Sequence, residues 1–428
     1  MNNIKKIIQT TLNHDLVSGS FYIMLGTTVS SFLAFILNIY FARELSYQEY
    51  GILASLMSLV TLIAIPSQSL SAIIVRYATL FFAKGEEGRA GAFYIKSFKK
   101  LLIFSIFLNL IFLILYPLIS GFLKINDLSL ILLASMSIAI FYLATLNMAF
   151  LQSLLKFKLL GVIYSLAGLG KLFSGIVLVL LGFKVYGALL ATLIFSIIDF
   201  VFSIFPLKSV ISKAGKDVHI GRKEFSSYAV PTTIAIFSLS SFISTDVLLV
   251  KHFFTSTDAG LYGGLSLIGK VIFYFTGPIP IAMFPLIVKK HANGEKFHGL
   301  FYLSLIIVLI PSVLITIFYF IFPEFTIKLF LEKDGYVGLS PYLGLFGIFL
   351  TIFSLNNVFV NFFLSIKKTN TCLIVLFFAL SQIILIYLFH NNFYQIIAVS
   401  IITSLLLLAS FMLYYLKING FYYSKKYT

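Results

Sequence analysis

The chain has 428 residues, of which 60% are hydrophobic and 11% charged, and its mean hydropathy is +1.04. No soluble fold of this length has enough polar surface to cover such a composition, which excludes a water-soluble enzyme or binding domain. The formal charge of +16 would point to nucleic acid in a soluble protein; in a chain this apolar it is first a report on membrane topology.

Met1 to about Asp15 shows no short, cleavable leader and is expected to stay attached. Its "IKKIIQTTL" reads either as an amphipathic helix on the membrane or as an unstructured start. Beyond it, apolar blocks of roughly 20 residues recur, the length that crosses a core of about 30 Å as helix. Charged and Gly- or Asn-containing breaks divide them into twelve spans. Six lie at about 18–41, 50–82, 101–122, 128–152, 159–182 and 186–207. Six more lie at about 228–250, 260–288, 300–322, 341–364, 371–389 and 394–416. The expected fold is an all-α polytopic membrane protein. With the N-terminus inside, cytoplasmic segments hold 22 Lys and Arg and outer segments 6. That asymmetry sets both termini in the cytoplasm and makes nucleic acid unnecessary as a partner. The longest outer segment, "PEFTIKLFLEKDGYVGLS" at 323–340, is expected to hold one interfacial turn of helix.

Enzyme chemistry finds no footing in the motifs. The six histidines fall in loops or at span ends without ligand spacing, and neither a GxSxG elbow nor a Walker lysine is present. Cys372, the single cysteine, cannot form an intrachain disulfide and reads as filler. No cofactor and no metal site is expected.

The chain repeats itself. "SYQEYG" (46–51) opens the second span and "TSTDAG" (255–260) the eighth, each a capping box with Ser46 or Thr255 as N-cap and Glu49 or Asp258 three residues on. The same two spans end in "AKGE" (83–86) and "ANGE" (292–295), and both pairs keep one offset of 209. Six spans per copy give both copies the same orientation. The reading is two like-oriented six-helix lobes enclosing a cleft near the midplane, where transporters place their substrate. The divisions are a 1–17 cytoplasmic or interfacial segment, an 18–207 N-lobe, a 208–227 cytoplasmic loop, a 228–416 C-lobe and a 417–428 tail.

"ARELSYQEYG", "VRYAT", "STDVLLVKHFFTSTDAGLYGGLSLIGK" and "MFPLIVKK" resemble the multidrug/oligosaccharidyl-lipid/polysaccharide (MOP) exporter superfamily. The nearest likeness is to its polysaccharide branch of Wzx-like O-antigen flippases, over about Ser18 to Leu416. Family-pattern positions match at Arg43, Leu45, Glu49, Tyr50, Gly51 and Arg76, then at Asp246, Asp258, Gly260, Tyr262, Lys270 and Pro285. Ser46 departs from the pattern, which usually has glycine there. The resemblance implies a MATE-like fold of twelve helices in two lobes and a transport function.

Five ionisable residues fall within spans: Arg76, Lys171, Asp199, Asp246 and Lys270. At ~1.5 Å per residue, Lys270 and Lys171 lie roughly 15 and 18 Å deep, while Arg76 sits close to the cytoplasmic interface. Arg76 either snorkels to lipid phosphates or lines a wet wall with Ser55, Ser58, Thr61, Ser69 and Thr79. Lys270 shares a face with Gly263, Ser266, Tyr274 and Gly277, which suits a close helix contact or a cleft wall. Asp246 reads as a coupling carboxylate or a partner of Lys251, and Asp199 as a proton carrier or a partner of Lys171. Asn356 and Asn357 face sugar hydroxyls or bond helix to helix. Pro66 and the Gly277-Pro278-Ile279-Pro280 run break corresponding spans and are the candidate hinges of alternating access, unless they only improve packing.

Three cationic deep charges against two anionic favour an anionic cargo. The expected function is flipping of a polyprenyl-(pyro)phosphate-linked oligosaccharide to the outer leaflet for surface polysaccharide export. The substrate-binding set is Lys270, Lys171, Arg76, Asn356 and Asn357, and the ion-coupling set is Asp246 and Asp199. Expected partners are the lipid-linked oligosaccharide, membrane lipids and polysaccharide polymerase or assembly proteins, with the chain a monomer in the plasma (inner) membrane. A cation or drug antiporter of the same fold is the alternative, and a membrane-embedded glycan polymerase or transferase a distant third.

Overall fold

The computed structural model describes residues 15–215, 222–292 and 295–424. The N-terminal "IKKIIQTTL", Gly294 of the repeat and the centre of the 208–227 loop lie outside the described residues.

Every regular element among the described residues is helical. Span one is α1 (Asp15–Glu44); span two is broken into α2 (Tyr47–Ala64) and α3 (Pro66–Ala83). Span three is α4 (Glu87–Ile114), followed by a short α5 (Tyr116–Leu123), and span four is α6 (Leu128–Ser153). Spans five and six are α7 (Phe157–Leu178) and α8 (Lys184–Ile204), and a short α9 (Lys208–Ser212) follows. Span seven is α10 (Arg222–Ser241) with α11 (Thr245–Phe253). Span eight falls into α12 (Ser256–Gly269), α13 (Val271–Thr276) and α14 (Pro278–Ala292). Span nine is α15 (His298–Ile321), and α16 (Pro323–Leu331) follows it. The last three spans are α17 (Ser340–Ser365), α18 (Thr371–Leu388) and α19 (Phe393–Ser424).

Among the described residues ten stretches are long and apolar enough to cross a membrane, and the α10–α11 pair, bent by 47°, makes an eleventh. One of the ten, Phe157–Ser212, runs for 56 residues and contains Gly182 at φ 88°, where α7 gives way to α8 and the two pack on each other. Counting that stretch twice reaches the twelve spans read from the sequence. α16 is a nine-residue helix, longer than the single turn expected of that segment. Large apolar side chains such as Phe32, Phe107, Phe173, Phe275 and Leu413 point outward, while many serines and threonines are buried. That inversion suits a hydrocarbon solvent, in which helices associate through packing and interhelical hydrogen bonds rather than by excluding water.

The chain forms two compact units: the described parts of Met1–Leu45 with Ile63–Ala229, and Ser46–Leu62 with the described parts of Val230–Thr428. The boundary cuts span two between Leu62 and Ile63, three residues before Pro66. In the first unit, α1 lies on α7 through backbone approach. Gly26 meets Gly161, Gly168 meets Ser30 and Gly175 meets Leu37, so three glycines of α7 seven residues apart present one smooth face. Tyr94 donates to Asn147 Oδ1 (2.8 Å) and Asn147 Nδ2 donates to the Phe200 carbonyl (3.3 Å), tying α4, α6 and α8 together. The Tyr142 hydroxyl donates to the Ile63 carbonyl (2.8 Å) beside the Pro66 break.

In the second unit α17 is the central helix, with Phe346, Phe349, Phe362 and Phe363 buried along it. Thr316 and Thr351 hydroxyls pair at 2.9 Å, and Gln382 Nε2 donates to the Phe242 carbonyl (3.2 Å) and to Ser400 Oγ (2.9 Å). The Gln382 bond falls on the α10–α11 break, where the ordinary helical ladder is interrupted. The sequence pattern draws span seven as continuous because neither Gly nor Pro marks that break. Its signal is the hydroxyl run "SLSSFIST" (238–245), whose Ser241 and Thr245 hydroxyls meet at 2.8 Å.

The repeat has a structural counterpart. α2 starts at Tyr47 and α12 at Ser256, while α3 ends at Ala83 and α14 at Ala292, each pair 209 apart. The first capping box is reciprocal, and at the second the N-cap side chain takes the N3 amide while the two side chains bond to each other. Ser46 N donates to Glu49 Oε2 (2.9 Å) and Glu49 N to Ser46 Oγ (3.2 Å). Asp258 N donates to Thr255 Oγ1 (3.1 Å), whose hydroxyl donates to Asp258 Oδ2 (2.7 Å).

Candidate functional site

Lys270 sits between α12 and α13, at a second break in span eight that the proline motif does not announce. It is partly exposed, and among the described residues it forms no ion pair within 4 Å. Asp246, in the first turn of α11, is near enough to act on it electrostatically. Asp246 is itself fully buried; Tyr262 donates to its Oδ2 (2.9 Å), and its Oδ1 has no partner. Asp246 therefore turns to Tyr262 and Lys270 rather than to Lys251, whose Nζ donates to Ser256 Oγ (3.0 Å). Sequence reasoning uses Tyr262 only as a family position; its spacing of eight from Lys270, in one span, is the available signal.

The face expected to accompany Lys270 is divided. Gly263 packs against Ala54 and Tyr50 of α2, Ser266 is buried with an unpartnered hydroxyl, and Tyr274 is 47% exposed. A helix contact thus occupies the Gly263 end, and open surface the Tyr274 end.

In the first unit Lys171 (α7) is partly exposed and its Nζ lies 5.6 Å from the centre of the Phe195 ring, a cation–π distance. Asp199 (α8) is 2% exposed with an unpartnered Oδ1, and it acts on Tyr164. Lys171 and Asp199 are not partners within 4 Å. A carboxyl group this deep with a free oxygen needs water, a proton or a cation to satisfy it.

Arg76 on α3 is exposed, as are Thr61 and Thr79. Ser55 and Ser58 are buried, so the hydroxyl stripe drawn beneath Arg76 divides between packing and open surface. Asn356 is buried and its Nδ2 donates to the Ser404 carbonyl of α19 (2.9 Å), a bond between helices. Asn357 is partly exposed and accepts from Asn361 Nδ2 (2.9 Å). Pro66 opens α3 directly after the break at Ile65, and Gly277 separates α13 from α14, which begins at Pro278 with Pro280 in its first turn. No group of three His, Cys, Asp or Glu able to hold a metal ion occurs among the described residues.

Outside the spans, Asp127 caps α6. Its carboxylate accepts from Ser129 Oγ (2.5 Å) and Ser129 N (3.0 Å), and from the Tyr186 hydroxyl. The Ser129 hydroxyl first, and then that of Tyr186, hold this carboxyl below the usual carboxylate range.

Apolar helices of membrane-crossing length, with breaks in spans two, seven and eight, define a multi-pass membrane protein. The fold agrees with solved structures. An inward-facing multidrug-resistance MATE family transporter of the MOP superfamily superimposes with a TM-score of 0.72 at 13% identity, over 93% of this chain and 98% of that one. The lipid II flippase MurJ in an inward closed conformation gives 0.68 at 17% identity, over 91% and 87%. A MATE transporter in a bent conformation gives 0.62 at 15%, over 95% and 96%. Residues 40–334 match the family described as "Polysaccharide biosynthesis protein", and the chain belongs to it. No curated protein matches the chain.

Proposed function

We propose that this transporter flips a polyprenyl-(pyro)phosphate-linked oligosaccharide from the cytoplasmic to the outer leaflet of the plasma membrane by alternating access. The observation that carries the reading is Lys270, a lysine deep in its span and partly exposed as a residue, without an ion pair within 4 Å among the described residues, set at a break in span eight. A midplane lysine facing lipid would cost about 2.5–3.5 kcal/mol, so it belongs on water or on an anion. Lys171 adds a second deep cation, and the exposed Arg76 makes first contact with the head group at the cytoplasmic mouth. Asn357 serves sugar hydroxyls; Asn356 joins it only in a state that releases Ser404. Asp246 and Asp199 carry the coupling ion, and Pro66 with Gly277, Pro278 and Pro280 absorb the bending. Both termini are cytoplasmic in this reading, which the distribution of Lys and Arg supports. The family's description and the likeness to a lipid II flippase support a lipid-linked glycan, of the O-antigen type, and with it a polymerase or assembly protein as downstream partner.

A proton- or cation-coupled drug antiporter is favoured by one observation, the buried and unsatisfied Asp199 in the first unit. The two readings part in vesicles reconstituted with a fluorescent polyprenyl-pyrophosphate oligosaccharide. Lys270→Gln should lower flipping at least ten-fold at unchanged protein level, Lys270→Arg should keep part of it, and Arg76→Gln should raise the half-saturating concentration with a milder loss of rate. Normal flipping by Lys270→Gln refutes the anionic-cargo reading. Efflux of a cationic dye that depends on Asp199, with no flipping, establishes the antiporter.

A further inference from the structure

Two opposite faces divide α4. Tyr94, Leu101, Ser105, Leu108 and Phe112 recur at helical spacing and are buried against the rest of the first unit. On the other side, at 3.6 residues per turn, run Lys96, Lys100, Ile103, Phe107, Leu110 and Ile114. The four apolar members and Lys100 are exposed, and Lys96 is partly so. From Lys96 to Ile114 the stripe covers roughly 27 Å, close to the ~30 Å of a hydrocarbon core. Its length and polarity match one lipid leaflet entered at the head groups: cations at one end, then apolar side chains without interruption.

Further cations widen the basic end. Lys99 is exposed beside Lys100. α9 lies along the start of α4: a Cβ on Gly91 would stand 2.4 Å from the Val210 carbonyl oxygen, and Gly215 N donates to the Gly88 carbonyl (2.9 Å). α9 therefore runs down α4 away from the apolar stripe, which leaves Lys208, its first residue, on the stripe side of Gly91. Lys208 is exposed, and its Nζ stands 4.9 Å from the centre of the exposed Phe205 ring. The acids at the start of α4 are already engaged, Glu86 by Arg89 (2.8 Å) and Glu87 by Lys213 (2.5 Å). Lys99, Lys100 and Lys208 form no ion pair within 4 Å among the described residues.

The repeat does not call for these lysines. α15, the corresponding span of the second copy, holds no Lys or Arg from His298 to Ile321. The offset of 209 puts Leu305, Val308 and Leu309 at the places of Lys96, Lys99 and Lys100. Three lysines within five residues repel one another, and a phosphate between them relieves that repulsion.

We propose that the basic end of α4, with Lys208, is a binding site for an anionic phospholipid of the cytoplasmic leaflet. Lys96, Lys99, Lys100 and Lys208 hold its phosphate, and an acyl chain lies along Ile103, Phe107 and Leu110. The cytoplasmic leaflet follows from the twelve-span topology; neither Lys270 nor the assigned cargo takes part. The apolar stripe that continues from the lysines favours a lipid over a free phosphate ion, which would leave it uncovered.

The chain contains no tryptophan, so a single introduced indole reports only its own surroundings. Ile103→Trp is the reporter, at a side chain 67% exposed and one turn along the stripe from Lys100. Ile310→Trp is the control, at a side chain 55% exposed on α15. Each position lies 11 residues before the end of its helix, Ile114 or Ile321. The full-length protein is reconstituted in phosphatidylcholine vesicles holding a minor fraction of dibrominated phosphatidylglycerol, whose bromines quench an indole at contact range. Ile103→Trp should be quenched as if phosphatidylglycerol were enriched about ten-fold beside it, a modest figure for lysines worth about five-fold each near a membrane surface. Ile310→Trp should follow the bulk composition. Lys96→Gln, Lys99→Gln and Lys100→Gln together should return the reporter to the bulk value, while Lys96→Arg, Lys99→Arg and Lys100→Arg keep most of the enrichment. Equal enrichment at both reporters assigns the effect to the overall cytoplasmic charge and overturns the site, as does quenching that the glutamine changes leave intact. If unlabelled polyprenyl pyrophosphate relieves the quench at far lower levels than unlabelled phosphatidylglycerol, the lysines capture cargo and the phospholipid assignment falls. A protein that shows the enrichment but flips no lipid-linked oligosaccharide keeps this site and loses its proposed function instead.

Discussion

Gly51→Ala adds a single methyl group where the backbone of α2 packs against that of α12. The new carbon would stand 2.7 Å from Gly260 N and 2.9 Å from the Ser256 carbonyl oxygen, both main-chain atoms with no rotamer to move aside. An ordinary contact needs about 3.5 Å, so the helices must separate by roughly 0.8 Å. Overpacking on that scale costs about 1–3 kcal/mol. For a unit of about 200 residues this corresponds to a fall of roughly 2–12 °C in melting temperature, measured by light scattering of the purified protein heated in detergent. Gly121→Ala in α5 is the control, since a Cβ there meets nothing within 4 Å and gains up to ~1 kcal/mol in helix propensity. If Gly51→Ala melts with the wild type while Gly121→Ala behaves as expected, the backbone contact between α2 and α12 is not as close as described.

Two further outcomes bear on charge. Tyr262→Phe removes the hydroxyl that donates to Asp246 Oδ2, and should destabilise the second unit by about 1–3 kcal/mol in thermal melts, while Asp246→Asn abolishes pH-dependent transport with folding intact; retained pH dependence in Asp246→Asn returns the residue to a structural role. The Asp127 cap is held below the usual carboxylate range, so it adds stability above its unfolded value of about 3.9 and loses it as pH falls through the lower folded value. The wild type should thus lose its advantage over Asp127→Asn only below about pH 4; a gap between their melting temperatures that is unchanged from pH 7 to pH 3 contradicts this.

Span positions were legible because hydropathy and length together leave little else for an apolar block of about 20 residues to do. The offset of 209 was legible because capping chemistry puts recognisable residues at helix starts, and the helix ends at Ala83 and Ala292 keep it. What stayed hidden depends on partners distant in sequence. Asn356 looked identical to Asn357 in the string, yet one is spent on Ser404 and the other is partly exposed. The bend in span seven had no Gly or Pro to announce it, since Gln382, 140 residues on, donates to the carbonyl at the bend. Lys251, just past the apolar block of span seven, is 1% exposed, and its ammonium reaches Ser256 at the start of α12.

The division of span two also has a consequence for how the protein is made. Its first half, Ser46–Leu62, belongs with a unit whose remaining chain starts at Val230. Its glycine partner on α12 leaves the ribosome 209 residues later, a delay of roughly 10–40 s at ~5–20 residues per second. Throughout that interval α2 carries Ser55, Ser58 and Gly51 into the bilayer with the α12 neighbours of Gly51 not yet synthesised. An amino-terminal half cut in the 208–227 loop would keep this orphaned helix permanently, so the two halves of the gene product are not two independent folding projects but one, joined at its second span.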